Sequence, residues 1–177
     1  MVEFDRIAQQ AECEFRITNS ELEFRARIMK NLIDELTAII EKSTKEWTAA
    51  SKSGWFNKPK PEKWSKAEIV GHLIDSAMNN IQRFIRAQHE AAPNVFYEQN
   101  EWVHLNYYQT VEKEELIQLW ALLNRQICRI LKHISAENLE SPCYFKVEGV
   151  VQTVPLRFVI EDYVAHLKHH LGQITEG

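Results

Sequence analysis

The sequence predicts an all-α protein, a four-helix bundle with a small β-hairpin before the last helix, and three observations carry that prediction. Only 5 glycines and 5 prolines interrupt the 177 residues. Seven of these ten fall at 54–61 ("GWFNKPKP"), at Pro93 and at 142–155, which cuts the chain into four helix-compatible pieces. Within those pieces apolar residues recur at three- and four-residue steps, the period of a helix that buries one face. One stretch breaks the pattern: "CYFKVEGVVQTV" alternates and is rich in β-branched residues, as paired strands require. The whole length, 1–177, reads as one domain without repeat or low-complexity segment, long enough to bury a core.

The first helix is expected to open at "SELE", where Ser20 and Glu23 fit a capping box, and to run for about thirty residues. Its core-facing members are Leu22, Ile28, Met29, Leu32, Ile33, Leu36, Ile39 and Ile40. The second opens at "WSKAEI", with Ser65 and Glu68 as the box and a hydrophobic staple between Trp64 and Ile69, and spans 65–89. Val70, Ile74, Ala77, Ile81 and Ile85 define its apolar side. "PNVFYEQNEWVHLNYYQT" is aromatic and short of regular period. It reads as a loop with a short helical turn that packs Phe96, Trp102 and Tyr107 on the bundle. A third long helix covers 111–133, the hairpin turns around Glu148 and Gly149, and Pro155 suits the first turn of a last helix over 155–175.

The net charge of -4, with no local basic run, removes the attraction that drives non-specific binding to phosphate backbones, so no nucleic-acid partner is expected. No apolar run approaches the roughly 18 residues that span a bilayer, and "MVEFDRIAQQAECEF" is too charged for a signal peptide, so the expectation is a cytoplasmic protein with no membrane partner. Cys13, Cys128 and Cys143 are odd in number, far apart and never C-x-x-C, the usage of unconnected thiols in a reducing compartment. Trp55 and Phe56 read as exposed aromatics on a protein that self-associates.

Chemistry enters with "HLKHHLGQI", residues 166–174, which places three histidines within five positions. On the last helix Leu156, Ile160, Tyr163, Leu167 and Ile174 form one stripe. His170 falls inside the stripe, His166 lies on its margin and His169 points away. Histidines at i and i+4 stand one turn apart, within reach of one metal ion, although the pair alone is a weak signal. It is not a zincin motif, because Leu167 stands where that motif needs a glutamate base. On the second helix His72 lies opposite the apolar side with Asp75, Ser76, Asn79, Asn80 and Arg83. That stripe reads either as a solvated face or as the lining of a cleft in the bundle, the latter suggested by the lack of Lys and Glu. His89, His104 and His133 read as surface or structural residues.

"KWSKAEIVGHLIDS" followed far downstream by "DYVAHLKHHLGQI" resembles the DinB superfamily of four-helix bundle metal proteins, in particular its YfiT-like members. The likeness extends through the "YEQNEWV" loop and "LIQLW" of the third helix. Family members carry one metal-binding histidine on the second helix and two on the fourth, so the resemblance implies His72, His166 and His170 as ligands, with His166 and His169 as the fallback pairing. It also decides for the cleft reading of the His72 face. Where the family usually has "HRGQ" this chain has "HLGQ", Leu171 replacing a basic residue.

Three neutral imidazoles leave a divalent ion its full charge and an open position, the arrangement of a catalytic site, and zinc and nickel both suit such ligands. An ion so held activates either water or a thiol. No carboxylate has an evident claim as general base, so no catalytic residue is assigned; Asp162, one turn before His166, reads either as an orienting partner of that ring or as an exposed helix acid. YfiT-like relatives transfer low-molecular-weight thiols to electrophiles and form dimers. The resemblance therefore implies a metal-dependent S-transferase whose partners are a small-molecule thiol and an electrophile. Asn79, Asn80 and Arg83, on the His72 face one to three turns on, read either as residues orienting a polar or carboxylate-bearing cosubstrate or as ordinary polar residues of the surface. Metal-dependent hydrolysis of a small substrate is the second reading, and a non-catalytic metal-binding stress-response bundle the third.

Overall fold

The computed structural model describes residues 18–147 and 149–176; Cys13 and Glu148 lie outside them. Helix α1 spans Asn19–Ala49. It starts at a capping box of Thr18 and Glu21 rather than Ser20 and Glu23: Glu21 N donates to Thr18 Oγ1 at 3.3 Å, and Thr18 N donates to the Glu21 carboxylate at 2.9 Å. "TNSE" and "SELE" both satisfy the box pattern, and the earlier one lengthens the helix. Met29, Ile33, Leu36, Ile40 and Trp47 form its buried stripe, Leu32 and Ile39 are half-buried, and Ile28 is exposed.

Helix α2, Lys66–Arg86, has the expected box of Ser65 and Glu68 and ends three residues short of 89. It is the central helix, buried around nearly its whole circumference. Val70, Ile74, Ala77 and Phe84 face the core, but Ile85 is exposed and Ile81 only half-buried, because the helix is rotated to take its polar stripe inside. The aromatic segment folds into α3, Gln99–Leu105, and a 3-10 turn at Tyr108–Thr110. It packs through Val95, Val103 and Tyr108 and not through Phe96 and Tyr107, which are exposed, or Trp102, which is half-buried. Tyr107 adopts a left-handed φ of 53°, which reverses the chain and sends the next ring inward in its place.

Helix α4, Lys113–Leu131, contributes Leu116, Ile117, Trp120, Ile127 and Leu131 to the core. Lys113 is buried and donates to the carbonyls of Trp47 (3.1 Å) and Ala50 (2.7 Å), ending α1 with a cation on its unpaired carbonyls. Trp55 is buried there too, edge-on to Trp47 at 6.0 Å, and Phe56 is half-buried, so neither is the exposed aromatic expected. Their apolar bodies are consumed inside the fold, which removes the sequence argument for self-association. Strands β1, Pro142–Val147, and β2, Val150–Pro155, pair antiparallel with Phe145 opposite Gln152, and Gly149 turns between them at φ 84°. Pro155 ends β2 instead of opening the helix, and α5 spans Leu156–Glu176.

Around the bundle, α1 packs on α4, α4 on α2, α2 on α5 and α5 on α1. Chain neighbours α1 and α2 therefore stand diagonally, and α2 lies side by side with α5. No described helix is long and apolar enough to cross a membrane.

Candidate metal centre

The α2–α5 contact carries the chemistry. His72, 1 % exposed, projects from α2, and His166 and His170 project from successive turns of α5 beside the buried Tyr163–Leu167–Ile174 stripe. The three Nε2 atoms converge: His72 to His166 is 3.1 Å and His170 to His166 is 3.1 Å. One ligand nitrogen from each residue lies within 4.8 Å of the others. Nitrogens bound tetrahedrally at about 2.0–2.1 Å from one ion stand roughly 3.3 Å apart, so this spacing fits a single cation. The predicted trio comes together; the fallback does not, because His169 is exposed and turned to Gln173. His89, His104 and His133 are exposed.

The protonation pattern also fits. Burial, reinforced by the neighbouring imidazoles, pushes His72 down to about 3 and His166 down to about 4, and burial lowers His170 as well. All three are neutral at pH 7, the state that binds metal. Gln173 fixes one tautomer. Its amide nitrogen meets His169 Nε2 at 3.1 Å, which turns its carbonyl oxygen to His170 Nδ1 at 2.9 Å; that Nδ1 must carry the proton, leaving the Nε2 lone pair aimed at the cluster. Three Nε2 atoms meeting at one point cannot all be satisfied by one another's protons, and a cation satisfies all three. The donor set is therefore suited to a divalent ion.

Asp162 does not bond the His166 ring among the described hydrogen bonds; it is an exposed acid at the rim of a cavity, raised by partial burial against the opposing pull of Arg83. The polar stripe of α2 is buried, so the cleft reading of the His72 face holds and the solvated one does not: Asp75, Ser76, Asn79, Asn80 and Arg83 are all at most 8 % exposed. Their roles divide. Asn79 donates to the Asp75 carbonyl at 2.9 Å and does not reach the cavity, whereas Asn80 and Arg83 line it.

Three residues support the histidines in ways the sequence reading did not assign to them. Trp64 lies against His72, ring centroids 5.0 Å apart, and walls one side of the cluster. Gln173 is the tautomer-setting partner just described. Asp75, one turn beyond His72, accepts from Tyr108 Oη at 2.6 Å and Asn106 Nδ2 at 2.9 Å, and burial pushes its carboxyl up to about 6 against those bonds. The Tyr108 ring occupies the space a side chain on Gly71 would fill. A glycine in mid-helix next to a candidate ligand is the sequence signal from which this packing could have been found.

Two cavities open on the cluster. One, of about 340 Å³, reaches from Arg83 to His166; the other, of about 870 Å³, reaches His170 and is edged by Trp64, Lys58, Lys60 and Lys63. On α2 the first is lined by residues after His72 and the second by residues before it; on α5 the order reverses. The histidines thus stand between two chambers along the axes of antiparallel helices.

A sequence profile of the DinB superfamily matches residues 34–174. A relative from Oceanobacillus iheyensis is 26% identical over 157 residues, covering 88% of this chain and 81% of its own. YfiT from Bacillus subtilis is 25% identical over 114 residues (64% of this chain, 63% of its own), and a Halalkalibacterium halodurans protein is 28% identical over 115 (64% and 65%). The chain thus spans just under two thirds of the latter two. All three are named for an inferred metal-dependent hydrolase activity. Among solved structures, Bacillus subtilis YfiT, described as having an unusual four-helix bundle topology, aligns with a TM-score of 0.66 at 20% identity, covering 92% of this chain and 88% of that one. A mycothiol-dependent maleylpyruvate isomerase aligns with a TM-score of 0.63 at 12% identity, covering 85% and 59%. At these identities the structural likeness is one of fold.

Proposed function

Since the chain belongs to the DinB superfamily, as a YfiT-like member, we propose that it is a metal-dependent enzyme whose His72, His166 and His170 hold a divalent ion, zinc or nickel, and that it transfers a low-molecular-weight thiol to an electrophilic small molecule. The observation that carries the reading is the convergence of three neutral Nε2 atoms on one point between two chambers. When bound, the ion supplies Lewis acidity sufficient to hold a thiol deprotonated near neutral pH.

The chain's own residues account for the rest. His72 and His166 stay uncharged and leave the ion's charge undiminished, Gln173 holds His170 in the ligating tautomer, and Trp64 shields the His72 ring from water. Two chambers suit two organic reactants, and a thiol held by the ion needs no separate base. That matters because no carboxylate accepts a hydrogen bond from these three rings among the described residues. The thiol-dependent isomerase of the same fold supports this choice. Hydrolysis of a small substrate is the second reading, supported by the names of the sequence relatives.

Incubation of zinc- and nickel-loaded protein with several thiols and monochlorobimane tests the first reading. Conjugation above the uncatalysed rate, abolished in His166→Ala, is expected; no acceleration with any thiol would remove the transferase and leave the hydrolase.

A further inference from the structure

The chamber on the His166 side contains a group that the histidine cluster does not need, a buried guanidinium. Arg83 stands eleven residues beyond His72 on α2, about 16 Å along the helix axis, and is 8 % exposed. Nε and Nη2 both donate to the Val95 carbonyl, Nη1 donates to Asn80 Oδ1 at 3.1 Å, and the Phe145 ring lies 5.5 Å from Cζ. These contacts fix the planar fork but supply no negative charge, since no carboxylate lies within 4.0 Å of it among the described residues. Three hydrogen bonds leave two of its five N–H groups for another partner.

A buried cation without a counter-charge is costly, and the cost falls when an anion arrives. The other charged groups of the chamber are Glu98, Lys146 and Asp162. Asp162 lies close enough to be influenced by Arg83 yet makes no ion pair with it. Apart from Ser76, Asn80 and His166, the remaining walls, Phe96, Tyr97, Phe145, Val151 and Tyr163, are aromatic or aliphatic, and about 340 Å³ is the lower end of the range for small-molecule sites.

We propose that this chamber binds a carboxylate-bearing substrate with an apolar body, its carboxylate paired with the Arg83 fork and its other end directed at His166. The proposal rests on the reading of the histidine cluster as an active site and supplies the class of electrophile it serves. A guanidinium held from behind by a carbonyl keeps one N–H on each terminal nitrogen for a charged acceptor, which selects carboxylates over neutral isosteres. Asn80 is a positioning residue, acting through Arg83.

Calorimetric titration with benzoate and with benzamide, its neutral counterpart of similar shape, tests this. It is run on the full chain loaded with zinc and again after chelation, which removes direct coordination of the carboxylate by the ion. Wild type should bind benzoate about tenfold or more tighter than benzamide in both states, the preference expected of hydrogen bonds to a charged group. Arg83→Gln should reduce the preference to within about threefold, Arg83→Lys should retain part of it, and Asp162→Asn, which removes a competing carboxylate, should tighten benzoate about two- to fivefold. Equal binding of the two probes by wild type, or an undiminished preference in Arg83→Gln, overturns the proposal. Should Arg83→Gln not fold, unchanged benzoate affinity in Asp162→Asn overturns it instead. A benzoate preference without any thiol transfer upholds the chamber and removes the transferase; transfer to neutral electrophiles with no benzoate preference does the reverse.

Discussion

Alanine in place of Gly71 should destabilise the protein, although in an exposed helix the same exchange is worth about 1 kcal/mol in the other direction. A Cβ at position 71 falls 2.0 Å from Tyr108 Cδ2, 2.3 Å from Cγ and 2.6 Å from Cε2. Carbon atoms settle at about 3.5–4.0 Å, so the ring, 6 % exposed and packed from all sides, must move by more than an ångström. Such overpacking costs about 1–3 kcal/mol. Displacing the ring also breaks the 2.6 Å bond from its hydroxyl to Asp75, whose second oxygen is already buried without a partner. A hydrogen bond to a charged group contributes about 1.5–3 kcal/mol. Against the helix gain the net loss is roughly 2–5 kcal/mol, or a Tm lower by roughly 5–15 °C. Urea and thermal unfolding measure it, with Gly172→Ala as control. Nothing lies within 4 Å of a Cβ at 172, so that variant should gain up to about 1 kcal/mol. In a Tyr108→Ala background, Gly71→Ala should also turn stabilising. A Tm for Gly71→Ala at or above wild type would refute the reasoning.

His166→Ala should lower zinc affinity about a hundredfold or more, whereas the exposed His169→Ala should leave bound-metal stoichiometry unchanged; equal losses would assign the wrong α5 pair. At pH 6 three ordinary imidazoles would release roughly two protons on binding zinc, but with His72 at about 3 and His166 at about 4 less than about one should appear, read by calorimetry in buffers of differing ionisation enthalpy. For the metal-free fold, depressed histidines bind fewer protons folded than unfolded below pH 6.5, so stability should be present above that pH and fall as pH drops toward 4. Asp75, raised to about 6, opposes this with one proton between about 6 and 3.8, which leaves the net slope in the histidines' favour; stability rising on acidification would contradict the buried neutral trio. Burial pushes the Cys143 thiol up to about 11 and raises Cys128, so neither should react with a thiol reagent at pH 8 at the rate seen after unfolding.

The helices and the hairpin were legible because periodic patterns and caps are local signals; the pairing of His72 with the α5 histidines came from the family resemblance, since periodicity left the His72 face open between solvent and cleft. What was not legible depended on rotation about an axis or on distant partners. Val70, Ile74 and Ala77 marked one face of α2 correctly, yet Ile85 on the same line is exposed, because a helix buried on two sides cannot be phased from its apolar residues alone. Trp55 looked exposed in a Gly- and Pro-rich segment; Trp47 on the preceding helix and Lys113, distant in sequence, bury it. In the aromatic loop Phe96, Trp102 and Tyr107 were expected to pack, but residue type cannot choose between adjacent tyrosines, and the left-handed Tyr107 gives the inward position to Tyr108. Asn79, Asn80 and Arg83 looked equivalent in sequence; both asparagines donate back to the carbonyl one turn earlier, and what separates them is that Asn80 and Arg83 line the cavity while Asn79 does not.

The chambers at either end of the histidine trio bear on the order of events in any two-reactant turnover. Each has its own mouth, so neither reactant obstructs the entry of the other, and neither product must depart before its counterpart can arrive. The corresponding rate law is a random sequential one, with double-reciprocal plots that intersect rather than run parallel. Inhibitors shaped for one mouth then compete with a single reactant and leave the apparent affinity of the second largely intact.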